Sequence, residues 1–67
     1  MITVIANGEE KELPNGAVVS ELLDVMGLGA KWVVAELNGE PVNRDQMGST
    51  KLNDGDKVEL VRAVAGG

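Results

Sequence analysis

Two Asn-Gly pairs constrain the fold of this chain more than any other feature. Asn7-Gly8 follows a β-branched run that begins at Ile2, and this dipeptide is the strongest short signal for a two-residue hairpin turn. Residues 9–13 are therefore expected to return antiparallel to the first strand. Asn38-Gly39 predicts a second turn, which follows a β-rich run over residues 32–37.

One amphipathic helix is predicted between these β segments. Its apolar residues fall at positions i, i+3, i+4 and i+7 and form a single stripe: Val19, Leu22, Leu23 and Met26. Gly27 or Gly29 is expected to end the helix in the left-handed conformation.

The segment after the second turn is polar and irregular. Residues 43–51 are expected to contain one helical turn at residues 44–46, while Met47 and Leu52 attach the segment to the core. Asn53-Asp54-Gly55-Asp56 is interpreted as a turn and not as a calcium loop, because the Asp/Asn spacing of such a loop is missing.

A final strand is predicted over residues 57–64. Alternation places Val58 and Leu60 on one face of this strand, and Glu59 and Val61 on the other. The chain then ends in Ala65-Gly66-Gly67.

These elements predict an α+β fold in which one main helix covers a mixed sheet of four to five strands. The β-grasp is the economical arrangement, with the last strand central beside the first and Pro41 on an edge strand. We expect residues 1–64 to form this one domain and residues 65–67 a flexible tail. A domain of this size buries only about 60% of its unfolded surface, which disfavours a deep active site.

Composition excludes several classes of function. With Cys 0 and His 0, the chain has no disulfide, thiol nucleophile, imidazole base or common zinc ligand. Its net charge of -5 disfavours binding to nucleic acid or anionic membranes and favours a basic protein partner. A basic n-region and an apolar run of about 20 residues are both missing, so the expected location is the cytoplasm.

The sequence resembles the ThiS family of sulfur carriers for thiamin biosynthesis, with the small subunit of molybdopterin synthase and ubiquitin as more distant relatives. The resemblance covers the whole chain and rests on these motifs: Asn7-Gly8, Val19-Ser20-Glu21-Leu22-Leu23, Leu37-Asn38-Gly39, Pro41-Val42 with Arg44, Asp54-Gly55-Asp56 and Val64-Ala65-Gly66-Gly67. One departure is that the Val-Pro-Arg-x-x-Trp stretch of relatives here begins Val42-Asn43-Arg44 and ends in Met47. Another is that Val18 stands where relatives usually carry a Ser or Thr helix cap, so Asn15 is expected to provide the cap instead.

The resemblance implies that the Gly67 carboxylate carries sulfur. An α-carboxyl group has a pKa of about 3.3 to 3.7, so Gly67 is ionised at pH 7 and must be activated before it accepts a nucleophile. By resemblance, a ThiF-type adenylating enzyme uses ATP and magnesium to form the acyl-adenylate. A sulfur donor system then gives the thiocarboxylate, and a ThiG-type thiazole synthase consumes it. The chain is expected to be a monomeric carrier and cosubstrate, with no bound cofactor and no enzymatic activity.

Access to both partner sites is expected to require a narrow tail. Ala65 and Gly66 precede Gly67, and a β-carbon at either glycine would collide with a narrow channel and restrict φ. Extended, the three residues reach about 10 Å.

Docking is expected on the exposed face of the sheet, where alternation groups Trp32, Val34, Glu36, Val61 and Ala63. Trp32 could instead pack against the helix as a core residue. Five acidic residues suggest either a docking surface for a basic groove or ordinary solvated charge: Glu9, Glu10, Glu12, Glu21 and Asp24.

Three other functions remain open from the sequence. The same carrier chemistry could serve molybdopterin, cysteine or another sulfur pathway. A protein modifier joined to lysines through an isopeptide bond, as ubiquitin is, would carry the same tail. A regulatory β-grasp module would leave the terminal glycines without a role.

Overall fold

The computed structural model describes residues 1–29 and 33–62. Within these ranges the chain forms five strands, one α-helix and one short 3-10 helix: β1 (Ile2–Ala6), β2 (Glu9–Leu13), α1 (Val19–Val25), β3 (Val33–Leu37), β4 (Glu40–Val42), the 3-10 helix (Arg44–Gln46) and β5 (Lys57–Arg62). The predicted residues of β3 and β5 that are missing from these bounds, Trp32, Ala63 and Val64, lie outside the described residues.

Both Asn-Gly pairs form the predicted turns. The φ angles are 51° and 82° in Asn7-Gly8 and 50° and 87° in Asn38-Gly39. Two positive φ angles in a two-residue loop define a type I′ turn, whose twist matches that of the flanking strands. Ala6 accordingly pairs with Glu9, and the β1 and β2 hairpin is antiparallel as predicted.

The strand order β2-β1-β5-β3-β4 makes β5 the central strand. β5 runs parallel to β1 and antiparallel to β3. β4 lies at the edge of the sheet and pairs with β3 only. Pro41, which has no backbone N–H, is tolerated there because one side of the strand has no neighbour to accept a hydrogen bond. The predicted β-grasp fold, with the last strand beside the first, is confirmed.

The core lies between the sheet and α1. Its buried residues come from α1, from every strand except β4, and from the connecting segments: Ile2, Val4, Ala6, Leu13, Ala17, Val19, Leu22, Leu23, Val33, Ala35, Met47, Leu52, Val58 and Leu60. On β5, Val58 and Leu60 are buried, and Glu59 and Val61 are exposed, as alternation predicts. β5 therefore contributes one face to the core and presents the other to solvent.

The left-handed residue that stops α1 is Gly27, just after the C-cap Met26, in agreement with the first of the two predicted stops. Gly27 has a φ of 71°, and its N–H donates to the carbonyl of Asp24 (3.1 Å). The Leu28 N–H donates to the carbonyl of Leu23 (2.8 Å). This pair of bonds is the Schellman motif, which satisfies carbonyls that the last turn leaves open.

The start of the helix differs from the expectation. The N-cap residue is Val18 and not Asn15, which lies three positions earlier. The Val18 N–H donates to the Glu21 carboxylate (3.3 Å), and the Val19 N–H donates to the carbonyl of Thr50 (3.0 Å). A backbone carbonyl from the distant polar segment thus does part of the work that a capping side chain would do.

The polar segment is attached to the core as predicted. Its helical turn is the 3-10 helix at Arg44–Gln46, and Met47 and Leu52 are each 2% exposed. In the ranges described, no helix combines the length and apolar character needed to span a membrane.

Candidate functional site

The predicted chemical group lies at the end of the chain that follows β5. Arg62 ends this strand and pairs with Val33 of β3. Gly67 is the fifth residue after Arg62. Five predicted site residues lie outside the described residues: Trp32, Ala63, Ala65, Gly66 and Gly67.

The turn before β5 is anchored to β1. The Thr3 N–H donates to Asp54 Oδ1 (2.8 Å), and the Gly55 N–H donates to the carbonyl of Thr3 (2.7 Å). Asp56 Oδ2 accepts from the Asn53 N–H (2.7 Å). Both carboxylates of the Asp-Gly-Asp motif are therefore used to fix the position at which β5 begins.

The asparagines of the two type I′ turns also bind β5. Asn38 Oδ1 accepts from the Lys57 N–H (2.9 Å), and Asn38 Nδ2 donates to Asp56 Oδ1 (3.1 Å). Asn7 Oδ1 accepts from the Leu60 N–H (2.8 Å), and Asn7 Nδ2 donates to the Leu60 carbonyl (3.0 Å). From the sequence, both asparagines were predicted only as turn residues. The one available signal was that each turn uses Asn, which unlike Asp or Gly offers a side-chain donor together with an acceptor.

The outer face of the sheet carries three of the five predicted docking residues. Val34 and Val61 lie directly opposite each other and are 54% and 61% exposed. Glu36, also exposed, lies opposite Glu59 on the same face. The result is an exposed apolar pair beside two like charges, which repel each other across the strands. We call these four residues the outer patch.

The five acidic residues of the alternative docking surface do not share one surface. Glu10 and Glu12 pair with Ile5 and Thr3 and lie on the outer face of the sheet. Glu21 and Asp24 are exposed on the helix, in the other layer. Glu9 forms an ion pair with Lys11 (3.6 Å). This distribution is that of solvated surface charge, which was the simpler of the two interpretations.

The described part of the chain offers no metal site, since no group of three or more acidic side chains lies close enough to hold an ion. The core described above contains no buried polar or charged side chain either. In the described residues, the features that a partner could recognise are therefore on the surface.

Comparison with known proteins gives consistent matches over nearly the whole chain. Residues 3–67 match the ThiS family. The sulfur carrier protein ThiS of Thermus thermophilus is 38% identical over 61 residues, which are 91% of this chain and 94% of that protein. A thiazole synthase of Paramagnetospirillum magneticum is 34% identical over 64 residues, or 96% of this chain. This chain spans only 20% of the length of that synthase.

The fold also matches solved structures. The crystal structure of the thiamine biosynthesis protein ThiS from Geobacter metallireducens superposes with a TM-score of 0.82 at 32% identity, covering 98% of this chain and 100% of that one. An NMR structure of a thiamine biosynthesis protein from the same organism gives a TM-score of 0.77, also at 32% identity, and covers 98% and 88% of the two chains.

Proposed function

The chain belongs to the ThiS family, and from that membership we propose that it is a sulfur carrier protein of thiamin biosynthesis. The observation that carries the proposal is the extent of the family match, which runs to residue 67 and includes the terminal Gly66-Gly67 pair. The Thermus thermophilus relative named as a sulfur carrier is matched over 94% of its length, which supports a carrier role for these residues.

The carrying group in this proposal is the Gly67 carboxylate. One of its oxygens attacks the α-phosphorus of ATP in a ThiF-type adenylating enzyme, the bond between the α-phosphorus and the bridging oxygen breaks, and pyrophosphate leaves. The magnesium used by that enzyme would neutralise charge on the phosphates. A hydrosulfide ion from a donor system then attacks the acyl carbon of the adenylate, AMP leaves with the former carboxylate oxygen, and the sulfur loses its proton to water. The product is a thiocarboxylate, so the chain is a cosubstrate of its partners and not an enzyme.

The consumer of this sulfur is a ThiG-type thiazole synthase, which returns Gly67 to the carboxylate form. A protein named thiazole synthase contains a stretch similar to 96% of this chain, which supports an association between carrier and synthase. A cytoplasmic location and a monomeric carrier are part of the proposal, because the activating step consumes ATP and each partner must receive the tail separately.

The outer patch is the proposed docking surface for the adenylating enzyme, extended by Trp32 and Ala63 from the sequence pattern. Val34 and Val61 give an exposed apolar centre, and Glu36 lies opposite Glu59 beside it. A basic side chain of the partner placed between the two carboxylates would relieve their repulsion. The partner surface is therefore expected to combine apolar and basic residues.

A reconstituted reaction tests the proposed chemistry. The purified chain is incubated with the adenylating enzyme, ATP, magnesium and a sulfide donor, and the product is treated with a thiol-selective alkylating reagent. Because the sequence contains Cys 0, a thiocarboxylate is the group that such a reagent can label at neutral pH. One alkyl group per chain is expected, and fragmentation should place it at Gly67.

The control for this reaction is a chain that ends at Ala65. It keeps every described residue and should remain unlabelled. Labelling of the truncated chain, or failure of the full chain to become labelled with an active enzyme, would contradict the proposal. A ladder of conjugates to lysines in a lysate would favour the protein-modifier alternative instead.

A further inference from the structure

Main-chain hydrogen bonds join β1 to β5 as far as Asn7, and the side chain of Asn7 then adds two further bonds to β5. The Ile5 N–H donates to the carbonyl of Asp56 (2.8 Å), and the Asn7 N–H donates to the carbonyl of Val58 (3.0 Å). At Asn7 the main chain turns into the hairpin and leaves β5. The next residue of β5 that would be bonded on this side is Leu60.

The side chain of Asn7 takes the place of the missing main chain. Its Oδ1 accepts from the Leu60 N–H (2.8 Å), and its Nδ2 donates to the Leu60 carbonyl (3.0 Å). Two bonds to the backbone of one residue reproduce the exchange found in a hydrogen-bonded antiparallel pair. A carboxylate at this position has no donor, and glycine has neither group.

From this geometry we propose that Asn7 is a positioning residue for the chemistry at Gly67, an inference that rests on the proposed carrier function. Asn7 fixes the point at which the last strand leaves the sheet on the β1 side. Beyond Leu60, the strand pairing described for this end is with β3: Val61 lies opposite Val34, and Arg62 lies opposite Val33.

The contact between Asn7 and Leu60 matters because the reactive group follows Leu60 closely along the chain. Gly67 lies seven residues after Leu60. A tethered group reacts faster when its tether begins at a fixed point close to the target, because its effective concentration there is higher. A misplacement of about 1 Å can cost as much as 100-fold in rate when it displaces a reacting group. Releasing Leu60 on one side would loosen the point from which the chain continues toward Gly67 while the partner holds the folded domain.

A matched pair of substitutions isolates this role. Asn7→Gly and Asn38→Gly each remove a side-chain amide that bonds to β5, and each replaces a residue with φ near 50° that glycine adopts without strain. Both hairpins keep a Gly-Gly type I′ turn. The two variants differ in the end of β5 that they release: Asn38 holds Lys57, and Asn7 holds Leu60.

The first readout uses the free protein without any enzyme. Amide exchange of Leu60 is expected to become about tenfold faster in Asn7→Gly than in the wild type, the change expected for the loss of one hydrogen bond. Exchange of Leu60 in Asn38→Gly should stay within about twofold of the wild type, because its bonds are at Lys57 and Asp56.

The second readout is the kinetics of adenylation by the partner enzyme. For Asn7→Gly, kcat is expected to fall about fivefold with KM within about twofold of the wild type, because docking is kept and tail positioning is lost. Asn38→Gly should keep both constants within about twofold. Asn7→Asp is a second test if the glycine variant unfolds: it keeps the acceptor, loses the donor, and should also lower kcat.

The outcomes separate the two proposals. Equal kcat for the wild type and both Asn7 variants would overturn the positioning role and leave the carrier function intact. A lower kcat with unchanged Leu60 exchange would also overturn it, because Asn7 would then act by contacting the enzyme. A wild-type chain that an active enzyme does not adenylate would overturn the carrier function and this inference together.

Discussion

The two ends of β5 are held in different ways. At its start, the Lys57 N–H is bound by Asn38, and the preceding turn is bound to β1 through Asp54. At its end, Val61 pairs with Val34, and both side chains are largely exposed. The start of the central strand is thus fixed by the turn before it, whereas beyond Leu60, which Asn7 binds, the strand presents exposed side chains. Changes at the start should affect stability, and changes at the end should affect chemistry and recognition.

The largest effect is expected for Gly67→Ala. A β-carbon at the reactive residue should displace the carboxylate in a narrow partner site and lower kcat/KM for adenylation at least about 100-fold. The free energy of unfolding should not change. Gly48→Ala is the matched control, because Gly48 has an ordinary φ and open space for a β-carbon. Equal adenylation of Gly67→Ala and Gly48→Ala would refute the steric argument.

The next effect compares the same residue type at two positions of β5. Val58 is 0% exposed and Val61 is 61% exposed. Val58→Ala removes buried methyl groups and leaves a cavity, so it should destabilise the domain by about 2 kcal/mol and lower the Tm by roughly 10 °C. Val61→Ala should change the free energy of unfolding by less than about 0.5 kcal/mol. Similar Tm values for the two variants in calorimetry would show that β5 is not the centre of the core.

A smaller effect is expected for the anchor of the turn before β5. Asp54→Ala removes the acceptor of the Thr3 N–H and should cost about 1 kcal/mol, or roughly 5 °C in Tm. Asp45→Ala changes an exposed carboxylate in the 3-10 helix and should stay within about 0.5 kcal/mol. Urea unfolding of both variants measures the difference. Equal midpoints would mean that the Asp54 bond contributes no net stability.

The smallest effect concerns docking. Val61→Ala should weaken the affinity of the adenylating enzyme by about threefold, because part of an exposed valine would be buried on binding. Val25→Ala is the control: Val25 is 62% exposed but lies on α1, in the opposite layer. Titration calorimetry compares the two. A stronger loss for Val25→Ala would move the docking surface from the sheet to the helix.

Most of the fold could be predicted because local chemistry determines it. Asn7-Gly8 and Asn38-Gly39 require the positive φ angles of type I′ turns, and Gly27 provides the left-handed end of the helix. The prediction that Asn15 caps the helix was wrong because one of the two acceptors that replace a capping side chain, the carbonyl of Thr50, is distant in the sequence. Val18 needs no polar side chain when Glu21 accepts its N–H and a carbonyl from residue 50 accepts the next one.

The candidate site was predictable only in part. Alternation along β3 and β5 correctly brought Val34 and Val61 to one exposed face. The role of Asn7 was missed because its partner, Leu60, lies 53 positions away in the sequence, and no local pattern reveals that contact. For Gly67 the sequence and its family membership are the basis of the proposal, since the described part of β5 ends at Arg62.

The most direct test of the central claim is the intact mass of the chain isolated from its own cells during growth without thiamin. Replacement of one Gly67 oxygen by sulfur adds about 16 Da, which is also the change that oxidation of a methionine produces, so fragmentation must place it. The carrier account predicts a population with this increment at Gly67. Only the carboxylate form, or an increment confined to Met1, Met26 or Met47, would contradict it.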